Sequence, residues 1–180
     1  IASGVDVARC AIQHRRFVQQ RDKICCKKLP RLPGLDGRIR RAGEYQRQPA
    51  ANAMAAFPAR DWDTFVAHWA QISKDEKAIT RAVVLQGEVA GNIGSWEQDG
   101  RREIGYWIGM EHWGKGVATK AVSAFLRQVE TRRPLYAHVA KHNVASLRVL
   151  QKCGFTIVEE GPPGSGRVGD DVEELVMRLA

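Results

Sequence analysis

The chain has no uninterrupted apolar run close to the roughly 20 residues that a membrane-spanning helix needs, so no transmembrane segment is expected. No apolar stretch follows the basic residues near its start. A secretory leader is therefore not expected, and a cytoplasmic location is. Its four cysteines, Cys10, Cys25, Cys26 and Cys153, lack the two-residue gap that turns a cysteine pair onto one ion, which points to reduced thiols and no metal. Acidic residues are too few to balance the basic ones, and the shortfall is local. Residues 1–48 hold 12 Lys and Arg against 4 Asp and Glu, while residues 49–180 hold 16 against 16, so the whole net charge of +8 sits in the first quarter. Those basic residues are not interleaved with aromatics for base stacking, so the segment reads as solvated and nucleic acid is not the expected partner. GxxxxGK[ST] is absent, and the glycine-bearing stretch Trp113–Thr119 does not meet GxGxxG, so that stretch is neither the phosphate loop of nucleotide triphosphatases nor the dinucleotide fingerprint.

The patterning divides the chain into a weakly patterned segment, residues 1–48, and a domain, residues 49–180. In the first, Pro30, Pro33, Gly34 and Gly37 mark Lys27–Gly37 as an irregular connector, flanked by candidate helices over Val5–Arg21 and Gly37–Gln48. From Asp61, a plausible N-cap, Trp62, Phe65, Val66, Trp69 and Ile72 recur at helical spacing to about Ser73. Ile79–Gln86, Val89–Glu97 and Arg102–Gly109 read as three strands joined by tight turns at Gly87-Glu88 and Asp99-Gly100. Gly116–Glu130 then carries Val117, Ala121, Ala124, Phe125 and Val129 on one helical stripe. Leu135–Ala140 is a strand. Asn143–Cys153 is a helix with Val144, Leu147, Val149 and Leu150 inward and Gly154 as its stop. Phe155–Glu159 and Val172–Leu179 close the sheet around a Gly/Pro-rich loop, Gly161–Gly169. The order implies an α+β fold, in which the strands on either side of the Gly116–Glu130 crossover run parallel.

Chemistry concentrates at Trp113-Gly114-Lys115-Gly116-Val117-Ala118-Thr119, where a strand gives way to a helix. Glycines there admit a close backbone approach, and the first-turn N–H groups with the helix dipole suit phosphate oxygens. That run, with Glu103-Ile-Gly-Tyr-Trp-Ile-Gly109 before it and Asn143-Val-Ala-Ser146 and Lys152-Cys-Gly-Phe155 after it, resembles the GNAT acetyltransferases. Within them it is most similar to the branch that includes the ribosomal-protein N-terminal acetyltransferases. The similarity covers roughly residues 50–160. At the family's [Q/R]-x-x-G-x-[G/A] loop, Trp113 takes the first position, and Gly116 and Ala118 match.

The resemblance implies a GNAT-type fold: a mixed, mostly antiparallel sheet, a parallel pair splayed at the cofactor cleft, and helices on both faces. It implies acetyl-CoA as co-substrate, without a metal. The pyrophosphate would take N–H groups from Gly114 to Thr119, with Lys115 adding charge. The pantetheine arm would run beside Tyr106, Trp107, Ile108 and Gly109, with the acetyl carbonyl polarised by a strand N–H near Ile108 and Asn143 contacting the cofactor. The acceptor would be a primary amine of a protein N-terminus or a small molecule, attacking directly in a ternary complex.

An ammonium cannot attack a thioester until it loses a proton. Glu103 matches a carboxylate position of the superfamily, with a surface partner for Arg101 or Arg102 as the alternative; His138 across the cleft is the second candidate. Where many members place a tyrosine to protonate the leaving thiolate, this chain has Leu150, leaving Ser146 or water for that role. Cys153 reads as core, His112 as solvated or cofactor-bonded, and His138 with His142 as no zinc pair. The family's first strand and helix have no clear alternating counterpart before Asn52. A catalytically weak CoA-binding regulatory module, its basic segment touching RNA or ribosome, stays open, as does a homodimer.

Overall fold

A computed structural model describes residues 24–28, 37–162 and 171–180. The helix over Val5–Arg21 and most of the Gly161–Gly169 loop lie outside the described residues. The strands are β1 (Ile24–Lys28), β2 (Ile79–Leu85), β3 (Glu88–Gln98), β4 (Arg101–Ile108), β5 (Leu135–Ala140), β6 (Thr156–Gly161) and β7 (Glu174–Leu179). The helices are α1 (Gly37–Tyr45), α2 (Pro49–Ala55), α3 (Trp62–Lys74), α4 (Val117–Gln128) and α5 (Val144–Lys152). No helix among the described residues is long and apolar enough to cross a membrane.

The strands form one seven-stranded sheet in the order β1-β2-β3-β4-β5-β7-β6. All pairs are antiparallel except β4 and β5, which are parallel and registered only at Glu103 and Tyr136. The expected parallel pair and crossover helix are therefore present. The β2–β3 hairpin turns on Gln86 and Gly87, both at positive φ, one residue earlier than the sequence signal suggests. Asp99 and Gly100 make the same mirror-image turn.

Two elements fall where the sequence shows weak patterning. The strand β1 has two residues packed inward, Ile24 and Cys26, too few to display a period of two. The helix α2 begins on Pro49, whose fixed φ suits a first helical position, and continues through alanines that favour helix without forming an apolar stripe. Cys26 and Cys153 make no disulfide.

Alternation along the strands gives the sheet two packed faces. On one, Val83, Ile93, Ile104, Ile108, Leu135, Ala137 and Met177 meet α4 and α5 through Ala121, Val122, Phe125 and Leu150. Phe125 is fully buried, and truncating such a ring to alanine costs about 3–5 kcal/mol. On the other, Ala82 and Val84 meet α1 and α3 through Ile39, Ala42, Phe65 and Trp69. The Asp61 side chain caps α3 by accepting from Thr64 N at 2.7 Å. Val144 departs from the expected inward stripe of α5. At the first helical position it is 49% exposed, because the turn leading into the helix carries it off the sheet.

Candidate active site

The parallel pair holds together at one point and then opens. Gly109 N donates to Ala90 O at 2.9 Å, and Gly91 registers with Ile108. In an antiparallel ladder, hydrogen-bonded and non-hydrogen-bonded pairs alternate, so Ile108 and Tyr106 aim their backbone N–H and C=O groups away from β3, toward β5. The β5 strand registers with β4 only back at Glu103. Those backbone groups therefore face the opening. One is already used: Ile108 O accepts from Trp113 Nε1 at 2.8 Å, which fixes the peptide plane at the strand end.

The opening continues into a cleft of about 480 Å³. Its floor is Tyr106, Trp107 and Ile108; one wall is the loop from Trp113 to Thr119, and the other is α5 from Asn143 to Lys152. Gly114 and Gly116 sit at φ values of 70° and 73°, which lets the loop turn its backbone toward the cleft at the first turn of α4. Helix geometry leaves the N–H groups of that turn without intrahelical partners. Asn143 is the N-cap of α5, its side chain accepting from Ser146 N at 3.0 Å. The Ser146 and Tyr106 hydroxyls are 2.7 Å apart. Burial pushes the Tyr106 phenol up to about 12, only partly offset by the Ser146 hydrogen bond, so it stays a neutral hydroxyl at working pH. Cys153 is half-buried, its thiol 3.7 Å from Thr119 O and raised above its ordinary value by burial.

Residues 38–156 match the profile described as Acetyltransferase (GNAT) domain. The chain belongs to the GNAT acetyltransferase family. It is similar to the uncharacterized N-acetyltransferase p20 of Bacillus licheniformis, 37% identical over 62 residues. That match spans 33% of this chain and about a third (35%) of that relative. Among solved structures it resembles spermidine N-acetyltransferase from Vibrio cholerae in complex with CoA and spermine (TM-score 0.72, 18% identity, 87% of this chain and 94% of that one). It also resembles the Microcin C7 self immunity acetyltransferase MccE in complex with acetyl-CoA and AMP (TM-score 0.70, 18% identity, 90% of this chain and 94% of that one). At these identities the likeness is one of fold.

Most of the residues singled out in this GNAT chain line the one cleft: Tyr106, Trp107, Ile108, Trp113, Gly114, Gly116, Val117, Ala118, Thr119, Asn143 and Ser146. Lys115 and Gly109 do not. Lys115 is exposed. A Cβ on Gly109 would collide with the Tyr45 ring, so this glycine answers to α1.

Glu103 lies on β4 with its side chain on the opposite face from Tyr106, buried rather than on the surface. The expected surface setting is replaced by a buried one, although Arg101 still feels the Glu103 charge. Arg101 pairs with Glu159 at 3.0 Å. Arg102 points to the other face and joins Glu130 Oε2 (2.9 Å), Ser95 Oγ (2.9 Å) and Lys77 O (2.6 Å). Around Glu130, burial alone would raise the carboxyl, but hydrogen bonds from Arg132, Ser95 and Arg102 bring it down to about 2. His138 lies 3.5 Å from Glu103, and His142 Nε2 donates to Ala53 O at 3.0 Å. Among the described residues no group of three His, Cys, Asp or Glu is arranged to hold a metal ion.

Sequence reasoning missed the wall opposite Glu103. Tyr45 O accepts from Trp107 Nε1 at 3.0 Å, Tyr45 OH donates to Val89 O at 2.9 Å, and Met110 N donates to Gln48 Oε1 at 3.3 Å. These bonds seat α2 at the mouth of the cleft, where Ala51, Met54 and Ala55 line it. Beside them Asn52 is buried, and neither polar atom of its side chain has a hydrogen-bond partner among the described residues. Arg148 and Lys152, one turn apart on α5, also line the cleft. Their i, i+4 spacing after Asn143 was the available signal.

Proposed function

We propose that this GNAT acetyltransferase moves the acetyl group of acetyl-CoA to a primary amine by direct attack in a ternary complex. The observation that carries this reading is the convergence of two unlike backbone surfaces on one cleft, the glycine-bent first turn of α4 and the outward edge of β4. The first suits phosphate oxygens; the second suits an amide-bearing arm and a carbonyl that must be polarised. Arg148 and Lys152 add positive charge on the facing wall. The Ile108 N–H polarises the thioester carbonyl as negative charge develops on its oxygen. The neutral Tyr106 hydroxyl, paired with Ser146, donates toward the departing sulfur; with Leu150 buried in the core, no tyrosine of α5 reaches that place.

Glu103 takes the amine proton from the other face of the splayed pair. The motifs resemble the branch acting on protein N-termini, while one structural relative holds spermine; both acceptors present a primary ammonium. The test is calorimetry with acetyl-CoA together with thiol release across a panel of amines. Gly116→Asp, which forces a side chain onto a positive φ and a carboxylate into the phosphate wall, is expected to abolish acetyl-CoA binding while leaving the fold intact. Unchanged affinity would remove the cofactor from this cleft; binding without thiol release to any amine would favour a regulatory module.

A further inference from the structure

On the face of the sheet away from α4 and α5, three ionisable side chains from three strands meet where β4 and β5 part. His138 on β5 has Nδ1 3.3 Å from Glu174 Oε1 on β7 and Nε2 3.5 Å from Glu103 Oε1 on β4. Each glutamate is 3% exposed, and the histidine side chain is 13% exposed. A neutral imidazole that donates from Nδ1 to Glu174 carries its lone pair on Nε2, facing the Glu103 carboxylate. Two acceptors in contact repel each other, and one proton placed between them turns that repulsion into a charge-assisted hydrogen bond. The arrangement is thus built to take up a single proton.

We propose that Glu103 and His138 act as one proton-accepting unit for the attacking amine, with Glu174 as the positioning residue that fixes the ring. This rests on the acetyl-transfer reading above. The ammonium gives one proton to the unit. The freed lone pair forms the N–C bond at the thioester carbonyl, and the C–S bond breaks with its electrons going to sulfur. The second nitrogen proton goes to the thiolate, and the unit returns its own to solvent. Atoms and charge balance without a further reactant.

The surroundings agree. Burial disfavours the imidazolium, yet the Glu103 and Glu174 carboxylates outweigh it and raise His138 above its ordinary value. Glu159 on β6 also feels the His138 charge but is paired with Arg101. Lys141, just past β5, is paired with Glu160 and Glu173. On β7, Arg178 registers with Tyr136, further down the strand, and α2 has no charged residue. The rise at His138 therefore traces to the two carboxylates that touch its ring, Glu103 and Glu174.

The experiment is a histidine-labelled NMR titration of the full chain, with His138 assigned by the signal lost in His138→Gln, alongside the pH dependence of kcat/KM. His138 is expected to titrate above the ordinary histidine midpoint, and Glu174→Gln and Glu103→Gln each to lower that midpoint by about one unit. The acid limb of kcat/KM should track the NMR midpoint in the wild type and in Glu174→Gln. If Glu174→Gln does not fold, Glu174→Asp keeps the charge at a longer distance and should give a smaller shift in the same direction. A midpoint indifferent to Glu174, or an acid limb that stays in place while the midpoint moves, would overturn the proposal. If acetyl-CoA binds but no amine releases thiol, the acetyl-transfer reading falls, and the unit's role with it, whereas the NMR midpoints stand unchanged.

Discussion

Arg102 and Glu103 are consecutive on β4, both buried, and the pleat sends them to opposite faces. Arg102 enters a closed network: Glu130 receives Arg102, Ser95 and Arg132, and the remaining guanidinium donors reach Ser95 O and Lys77 O. Glu103 enters a set in which two carboxylates share one histidine. The first set is satisfied by fixed donors and holds structure; the second can gain or lose a proton at the place where the strands open. Burial of charge alone does not mark a functional residue. What separates the two is whether the partners leave a proton free to move.

The largest expected effect comes from opening the closed side. Glu130→Ala would leave Arg102 buried without its carboxylate and cost about 3–5 kcal/mol, read as a lower urea midpoint. Acid probes the same network without mutation. The Glu130 carboxyl is held at about 2, below the roughly 4.3 of an unfolded chain. Its contribution is therefore fully present above about pH 4.3 and disappears as the pH falls toward 2, so stability should drop across that window in the wild type and less steeply in Glu130→Ala.

On the other side, Glu103→Gln should leave the urea midpoint nearly in place and lower kcat by about 100-fold, with acetyl-CoA affinity unchanged by calorimetry. A joint loss of stability and rate would erase the distinction between the two sets. The smallest effect tests the strand end that both share. Trp113→Phe removes the indole donor to Ile108 O and keeps the ring. At about 1 kcal/mol for one hydrogen bond, KM for acetyl-CoA should rise roughly fivefold with the fold unaltered.

The cleft-lining loop, strand and helix start were legible in the residues because their signals are local. Gly114 and Gly116 declare a loop that must bend, Asn143 a helix start, and the alternation Ile104, Tyr106, Ile108 a strand with one buried face. The wall built by α1 and α2 was not. Tyr45 and Gln48 act through contacts with residues about 40 to 60 positions away, which no periodicity can report. Likewise β1 is too short to alternate visibly, and Glu174 has no motif; it matters because β7 lies beside β5.

The Tyr45–Gly109 contact has a consequence for redesign. Because the ring occupies the space that any Cβ at 109 would need, and its carbonyl holds the Trp107 indole, the first helical hairpin and the end of β4 form an interlocking joint. Grafting a relative's residues 37–57 onto this scaffold to change the acceptor would transplant half of that joint. Such a chimera should assemble only if the donor segment brings an aromatic ring at position 45, or if residue 109 is exchanged along with it.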